Sequence, residues 1–281
     1  MFTASRGLRH LSRVSDVLFR RTLLEREITI FPDDVFLTCY PRSGNTWVRF
    51  LIGNLIQQDQ PADFMNLEKL VPDMYRTADW VLRRLPRPRI LKSHECFDPR
   101  YRKVIYLVRD PRDVAVSNYH QELKLGSIPE GYSIERFVPR WMEGQFWSRI
   151  GSWADHVLSW VSTRQEHEGF LFLRYEDLQK DPKAELARVA AFLSRKSTPE
   201  TLAKAVELSS ADRMRALEAG QGSRWVSTYR TRQDKPFVRT ATAGGWRSTL
   251  PADSAALIEA KWGQLMRKLG YELAERPISL S

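Results

Sequence analysis

Apolar residues along this chain follow two rhythms. Short continuous runs at residues 35–38, 90–91 with their flanks, 104–108 and 170–173 are compact enough for buried strands. Between several of them the spacing changes to that of a helix, at residues 46–57, 111–125 and 152–166. This alternation predicts an α/β fold with a central parallel sheet flanked by helices. A further amphipathic helix, in "LPADSAALIEAKWGQLMRKLGYEL", starts at Pro251 and is stopped by Gly270. Residues 59–89 and 220–245 have weak periodicity and read as long loops with short helices, a length that in a compact domain often belongs to lids.

A polar cluster stands immediately after each apolar run: "YPRSGNT", "KSHE", "RDPRD" and "RYED". Ligands of open parallel sheets bind beyond the carboxyl ends of the strands, so the four clusters are expected to converge on one site. The first has the strand, tight loop, helix order that aims backbone N–H groups at an anion. It is not the loop of a nucleotide triphosphatase or kinase. The Gly-Lys-Ser/Thr ending is missing, Gly44 is followed by Asn45, and the loop's cation, Arg42, precedes the glycine by two residues.

Composition narrows the class further. With 281 residues, 42% hydrophobic and 28% charged, residues 1–281 are expected to form a single globular domain. The sequence holds no apolar stretch long enough to span a membrane and no signal-peptide core, so a cytoplasmic location is expected. Residues 1–30 form a basic amphipathic extension, with Leu8, Leu11, Val14 and Leu18 at helical spacing among arginines. Three uses fit such a segment: packing on the domain, peripheral contact with an anionic membrane, or an organelle transit peptide. Two cysteines and five histidines make neither a disulfide framework nor a ligand-spaced cluster, and no metal is expected. The net charge of +10 calls for an anionic partner, either nucleic acid, a membrane surface or a polyanionic small molecule. Its spread along the chain argues against a nucleic-acid-binding arm, and no nucleic-acid partner is expected; a basic nucleic-acid-binding module that keeps the fold without the chemistry is the alternative reading.

The motifs resemble those of the sulfotransferases that use 3'-phosphoadenosine-5'-phosphosulfate (PAPS). "YPRSGNTW" resembles their P-loop-like 5'-phosphosulfate-binding loop, "VIYLVRDPRDVAVSNYH" their 3'-phosphate segment, "KSHE" their Lys-x-His, and "RTATAGGWRSTL" a weakened form of their C-terminal clamp loop. "RYEDLQKDPKAELARVAAFL" matches a further stretch, and the similarity runs in order from about Val35 to Leu273.

The resemblance implies PAPS as donor substrate and a hydroxyl acceptor. It gives Arg42, Lys92, His94 and Ser117 as the catalytic group: His94 as general base, Arg42 facing the bridging oxygen, Lys92 at the sulfuryl oxygens. It gives Arg42, Ser43, Gly44, Asn45 and Thr46 to the 5'-phosphate, Trp47 to the adenine face, Arg109 and Ser117 to the 3'-phosphate, and Tyr175 and Ser209 to further donor contacts. Arg239 with Thr240 and Ala241 forms the clamp, in which the last two replace the usual Lys-Gly and remove a cation. Ala211 replaces a second adenine-stacking aromatic. Loops at 59–89, 126–146 and 224–237 are expected to build the acceptor pocket, with Trp141, Phe146, Trp147, Trp225 and Tyr229 suiting an apolar small molecule or a glycolipid. The dimer motif of cytosolic animal members is absent after Trp246, which leaves the oligomeric state open.

Overall fold

The computed structural model describes residues 28–147 and 149–274; the predicted N-terminal amphipathic segment lies outside them except for its last residues. Four strands, β1 (Val35–Cys39), β2 (Ile90–Ser93), β3 (Lys103–Val108) and β4 (Phe170–Arg174), form one parallel sheet in the order β2-β1-β3-β4. The register pairs Leu37 with both Lys92 and Ile105, which sets all strand ends on one edge.

Alternate residues of β1 feed two separate cores, as the two-residue period of a strand requires. Val35, Leu37 and Cys39 pack with Val48, Leu51 and Ile52 of α1 (Asn45–Ile56) and with Leu186 and Val189 of α8 (Pro182–Phe192). Phe36 and Tyr40 join Trp141, Trp153 and Trp160 on the other face. These rings come from α5 (Ile134–Met142) and α6 (Trp153–Arg164). Because both faces are covered, the central strands read as unbroken apolar runs.

Local chemistry fixes the helix starts. Asp110 caps α4 (Pro111–Leu125) by accepting from the Arg112 N–H, with Pro111 at the first helical position. Ser152 and Asp155 form a capping box at the start of α6. The segment at 59–89 carries the short helices α2 (Leu67–Leu70) and α3 (Asp79–Leu82). Helices α7 (Tyr175–Lys180), α9 (Pro199–Glu207) and α10 (Ala211–Gln221) follow β4, after which turns lead to α11 (Trp246–Thr249) and the long α12 (Ala252–Lys268).

Candidate active site

The carboxyl ends of the four strands open into one cavity of about 640 Å³, lined by residues from all four polar clusters and from the 225–249 segment. Its floor is the loop between β1 and α1. Arg42 and Gly44 both have positive φ, 71° and 102°, and the turn they make leads into the start of α1, whose Asn45, Thr46 and Trp47 line the cavity. No acidic residue occupies the first turn of α1, so its positive end is uncompensated. A Cβ on Gly44 would lie 2.6 Å from the Tyr175 ring. Gly44→Ala therefore combines left-handed backbone strain of about 1–2 kcal/mol with a displaced ring. We expect donor-product affinity to fall at least tenfold, and an unchanged dissociation constant would contradict this reading of the loop.

Three cations meet above that floor. The Nε–H of Arg42 donates to the Ser117 hydroxyl at 3.1 Å, and its guanidinium lies over the Phe237 ring. Arg109 lies 4.2 Å from the centre of the Tyr175 ring and donates to the Thr242 carbonyl at 2.9 Å. Asp113 is 3.9 Å from the Arg109 guanidinium, too far for a hydrogen bond. Burial, followed by Arg109 and Arg239, pushes the Arg42 guanidinium down to about 10, still cationic at neutral pH. Arg239 is lowered by the same two causes, burial and then Arg109. Repulsion among like charges is what a bound anion relieves, so the donor end of the cavity fits a ligand with separated phosphates. The Arg109 Nε is buried without a protein partner, a further donor available to such a ligand. Trp47 packs edge-on against Tyr175, with ring centres 5.6 Å apart, and the edge of Thr46 completes this wall.

The clamp segment is held by side chains that the sequence reading did not assign to it. Asp113 accepts from the Gly244 and Trp246 N–H groups at 2.7 and 2.9 Å. Arg215 donates to the Arg239 and Thr240 carbonyls at 3.0 and 3.2 Å, and Ala241 has a φ of 52°. Arg239, Thr240 and Ala241 all line the cavity. Trp246 is buried under the Arg112 guanidinium and acts in packing.

At the other end stands His94. Its Nδ1 is 2.7 Å from the Cys39 carbonyl oxygen, which can only accept, so Nδ1 carries the proton and Nε2 the lone pair. The Asn45 amide Nδ2 sits 3.4 Å from that Nε2. Burial first, then the charge of Lys92, holds the imidazole well below its usual range, so the ring is neutral at physiological pH. Lys92 is buried and gives one N–H to Asp73 at 2.9 Å, leaving two of its three donors. Behind His94, its carbonyl accepts from His156 Nε2 at 3.2 Å, and the Tyr106 hydroxyl binds His156 Nδ1 at 2.9 Å.

His156 is fully buried, and burial lowers it to about 4. The unfolded chain, with its histidine near 6.5, takes up the proton first, so stability falls as pH drops below about 6.5 toward 4. At pH 5 this costs about 2 kcal/mol from His156 alone. The loss of unfolding free energy between pH 7 and pH 5 should be smaller by about that amount in His156→Gln; an equal loss in both proteins would refute the linkage.

Phe146, Trp147, Ile150 and Trp225 give the same cavity its apolar lining, and Tyr75, stacked beside His94, and Glu95 line it too, hydrogen-bonded to each other at 2.9 Å. Four expected site residues lie elsewhere. Trp141 is wholly buried in the core, because it continues the inward stripe of Ile134, Phe137 and Val138 on α5. Tyr229 points outward, 46% exposed. The Ser209 hydroxyl donates to the Ala205 carbonyl and accepts from Asn54, both inside the protein and away from the cavity. Ser43 is buried beneath the loop, its N–H turned to the Tyr40 carbonyl. On the wall where Ala211 leaves no aromatic, Met214 reaches the cavity instead.

The sulfotransferase domain family matches residues 32–270 of the chain. Sulfotransferase 1B1 from Canis lupus familiaris is 32% identical over 233 residues, covering 77% of this chain and 78% of that protein. Sulfotransferase 1E1 from Mus musculus is 27% identical over 277 residues, 89% of this chain and 92% of that protein. The fold is similar to that of mouse sulfotransferase SULT7A1 solved with 3'-phosphoadenosine-5'-phosphate (PAP), at a TM-score of 0.69 and 24% identity over 85% of this chain and 86% of that one. Motifs in order, a cation-lined loop at the strand ends and these matches converge: the chain belongs to the PAPS-dependent sulfotransferase family.

Proposed function

We propose that His94 is the general base of sulfuryl transfer from PAPS to the hydroxyl of an apolar small molecule or lipid-like alcohol, a glycolipid included. The observation that carries this is the His94 ring itself: Nδ1–H fixed on the Cys39 carbonyl, Nε2 free of its proton, and the whole ring kept neutral by burial. The donor supplies an activated sulfuryl group on a phosphate leaving group.

In this reading an acceptor hydroxyl displaces the Asn45 amide from Nε2 and passes its proton there as its oxygen attacks sulfur. The bond from sulfur to the bridging oxygen breaks, and the electron pair stays on the phosphate. Arg42 stabilises the negative charge that grows on that oxygen; as a guanidinium it gives charge and hydrogen bonds and no proton at neutral pH. Lys92 offers its two remaining N–H groups to the sulfuryl oxygens, while Asp73 holds its position. Arg109, Arg239 and Ser117 hold the 3'-phosphate, and Trp47 and Tyr175 flank the adenine. Met214 supplies the apolar contact on the side where Ala211 is too small. Catalysis of this kind comes mostly from alignment and charge, as in phosphoryl transfer.

The acceptor class is supported by Phe146, Trp147, Ile150 and Trp225, apolar residues lining the cavity that also holds His94, a lining that suits a molecule with an apolar body and a polar head. PAPS-dependent sulfation of 2-naphthol, a hydroxysteroid and a glycolipid in detergent, against glucose, tests it. Turnover should favour the apolar alcohols; equal turnover of glucose would overturn the acceptor class while leaving the base assignment standing.

A further inference from the structure

Tyr75 lines the cavity and takes no part in the transfer step itself, yet it contacts both Lys92 and His94. The fold brings it there along the outer side of β2, the edge strand of the sheet. Residues 72–74 run parallel to that edge: the Lys92 N–H donates to the Pro72 carbonyl at 2.9 Å, and the Met74 N–H to the Lys92 carbonyl at 3.2 Å. Tyr75 therefore leaves the edge near the end of β2, where the chain passes from Ser93 to His94.

The pairing of β2 with β1 stops at Ser93, so the half-buried His94 N–H needs a partner from outside the sheet. The Tyr75 hydroxyl supplies it, accepting from His94 at 2.8 Å. Its own proton goes to Glu95 Oε1 at 2.9 Å, since a carboxylate can only accept. Burial first, then the charge of Glu95, pushes the phenol well above its ordinary range, so that proton stays in place. The ring planes of Tyr75 and His94 lie within 11° of each other, with centres 6.1 Å apart. The same residue reaches Lys92 in two ways. The ammonium lies 5.1 Å from the Tyr75 ring centre, and the Tyr75 N–H donates at 2.9 Å to Asp73 Oδ1, in the carboxylate whose Oδ2 accepts from Lys92.

We infer that Tyr75 is a positioning residue for the base: its hydroxyl, held by Glu95, fixes the His94 main chain, while its ring and N–H steady Lys92. The role rests on the reading of His94 as general base. Two points of that residue are fixed by other groups, Nδ1 by the Cys39 carbonyl and the main-chain oxygen by His156 Nε2. The Tyr75 hydroxyl fixes a third, and together they set the direction in which the Nε2 lone pair faces. A misplacement of about 1 Å in such a group can cost roughly 10²-fold in rate. Proton removal depends on that direction, whereas donor binding belongs to Arg42, Arg109 and Arg239 on other elements.

Tyr75→Phe keeps the ring and removes the hydroxyl. Turnover of the full-length chain on para-substituted phenols of increasing acidity, from cresol to nitrophenol, tests the role beside His94→Ala. An acidic phenol sheds its proton unaided, so the help of a base matters most at the cresol end. In Tyr75→Phe, kcat on cresol should fall at least roughly tenfold and the deficit should shrink toward nitrophenol. The acceptor KM and the PAP dissociation constant should stay within about twofold of wild type, because neither reports on proton removal. His94→Ala should show the same trend with a larger loss. Wild-type rates in Tyr75→Phe, or an equal loss on every phenol, would overturn the positioning role, while the trend in His94→Ala would keep the base assignment. A flat series in His94→Ala would instead remove the base assignment, and the positioning role with it. Should Tyr75→Phe not fold, Glu95→Gln removes the charge that holds the phenol proton. It should give the same trend with a several-fold loss, and wild-type rates across the series would then overturn the role.

Discussion

Replacing His94 by alanine is expected to lower turnover by roughly 10²–10⁴-fold and to leave PAP binding nearly unchanged. The expectation follows from where the ring stands. Nδ1 is tied to the main-chain oxygen of Cys39, at the end of the central strand, so the ring cannot rotate without breaking a buried hydrogen bond. Nε2 faces Asn45 and the cavity, and the cations of the donor end belong to other side chains. The shift of His94 also fixes the pH dependence. Its depressed pKa keeps the base unprotonated well below pH 6.5, so the acid limb of kcat/KM should fall below that value and should disappear in the alanine variant. A variant that keeps its turnover, or a wild-type acid limb at or above pH 6.5, would rule out His94 as the base.

Arg42→Ala should cost roughly 10²–10³-fold in kcat, the size of effect seen when one preorganised group at a developing oxyanion is removed. Arg42 is anchored to Ser117, packed on Phe237 and set in a left-handed backbone conformation, so its charge is positioned before the donor arrives. Arg42→Lys tests the charge against the shape. It keeps the cation, loses the guanidinium hydrogen bond to Ser117, and should recover most of the rate, because a positive charge beside the bridging oxygen is what stabilises the departing phosphate. A lysine variant as slow as alanine would mean that the fork geometry of arginine, and not its charge, carries the step.

Much of this arrangement is legible in the sequence, and the remainder fails for identifiable reasons. The four strands are readable because both faces of the sheet are covered, which turns each into an apolar run. The convergence of four polar clusters follows from parallel topology alone. Gly44 is readable as a loop glycine, although its second constraint, contact with Tyr175, depends on a residue 131 positions away. Partners set by tertiary structure are not readable: the Cys39 carbonyl that fixes His94, the Asp73 carboxylate that takes one Lys92 donor, and Arg215 beneath the clamp. Ser209 follows α9 and shows no outward sign that Asn54 engages its hydroxyl. Trp141 is different, because its signal was present: Ile134, Phe137, Val138 and Trp141 repeat at helical spacing, which assigns the ring to the core and not to the acceptor wall.

At the donor end of the cavity the charges of Arg42, Arg109 and Arg239 oppose one another, and an anionic ligand bound among them relieves that repulsion. Thermal unfolding with PAP, against ATP with magnesium, measures this. At a hundredfold excess over its dissociation constant PAP should stabilise the protein by about 2.7 kcal/mol, visible as a rise of several degrees that Arg109→Ala or Arg239→Ala diminishes. No stabilisation by PAP, or equal stabilisation by ATP with magnesium, would contradict the assignment of these three arginines to a 3'-phosphorylated nucleotide.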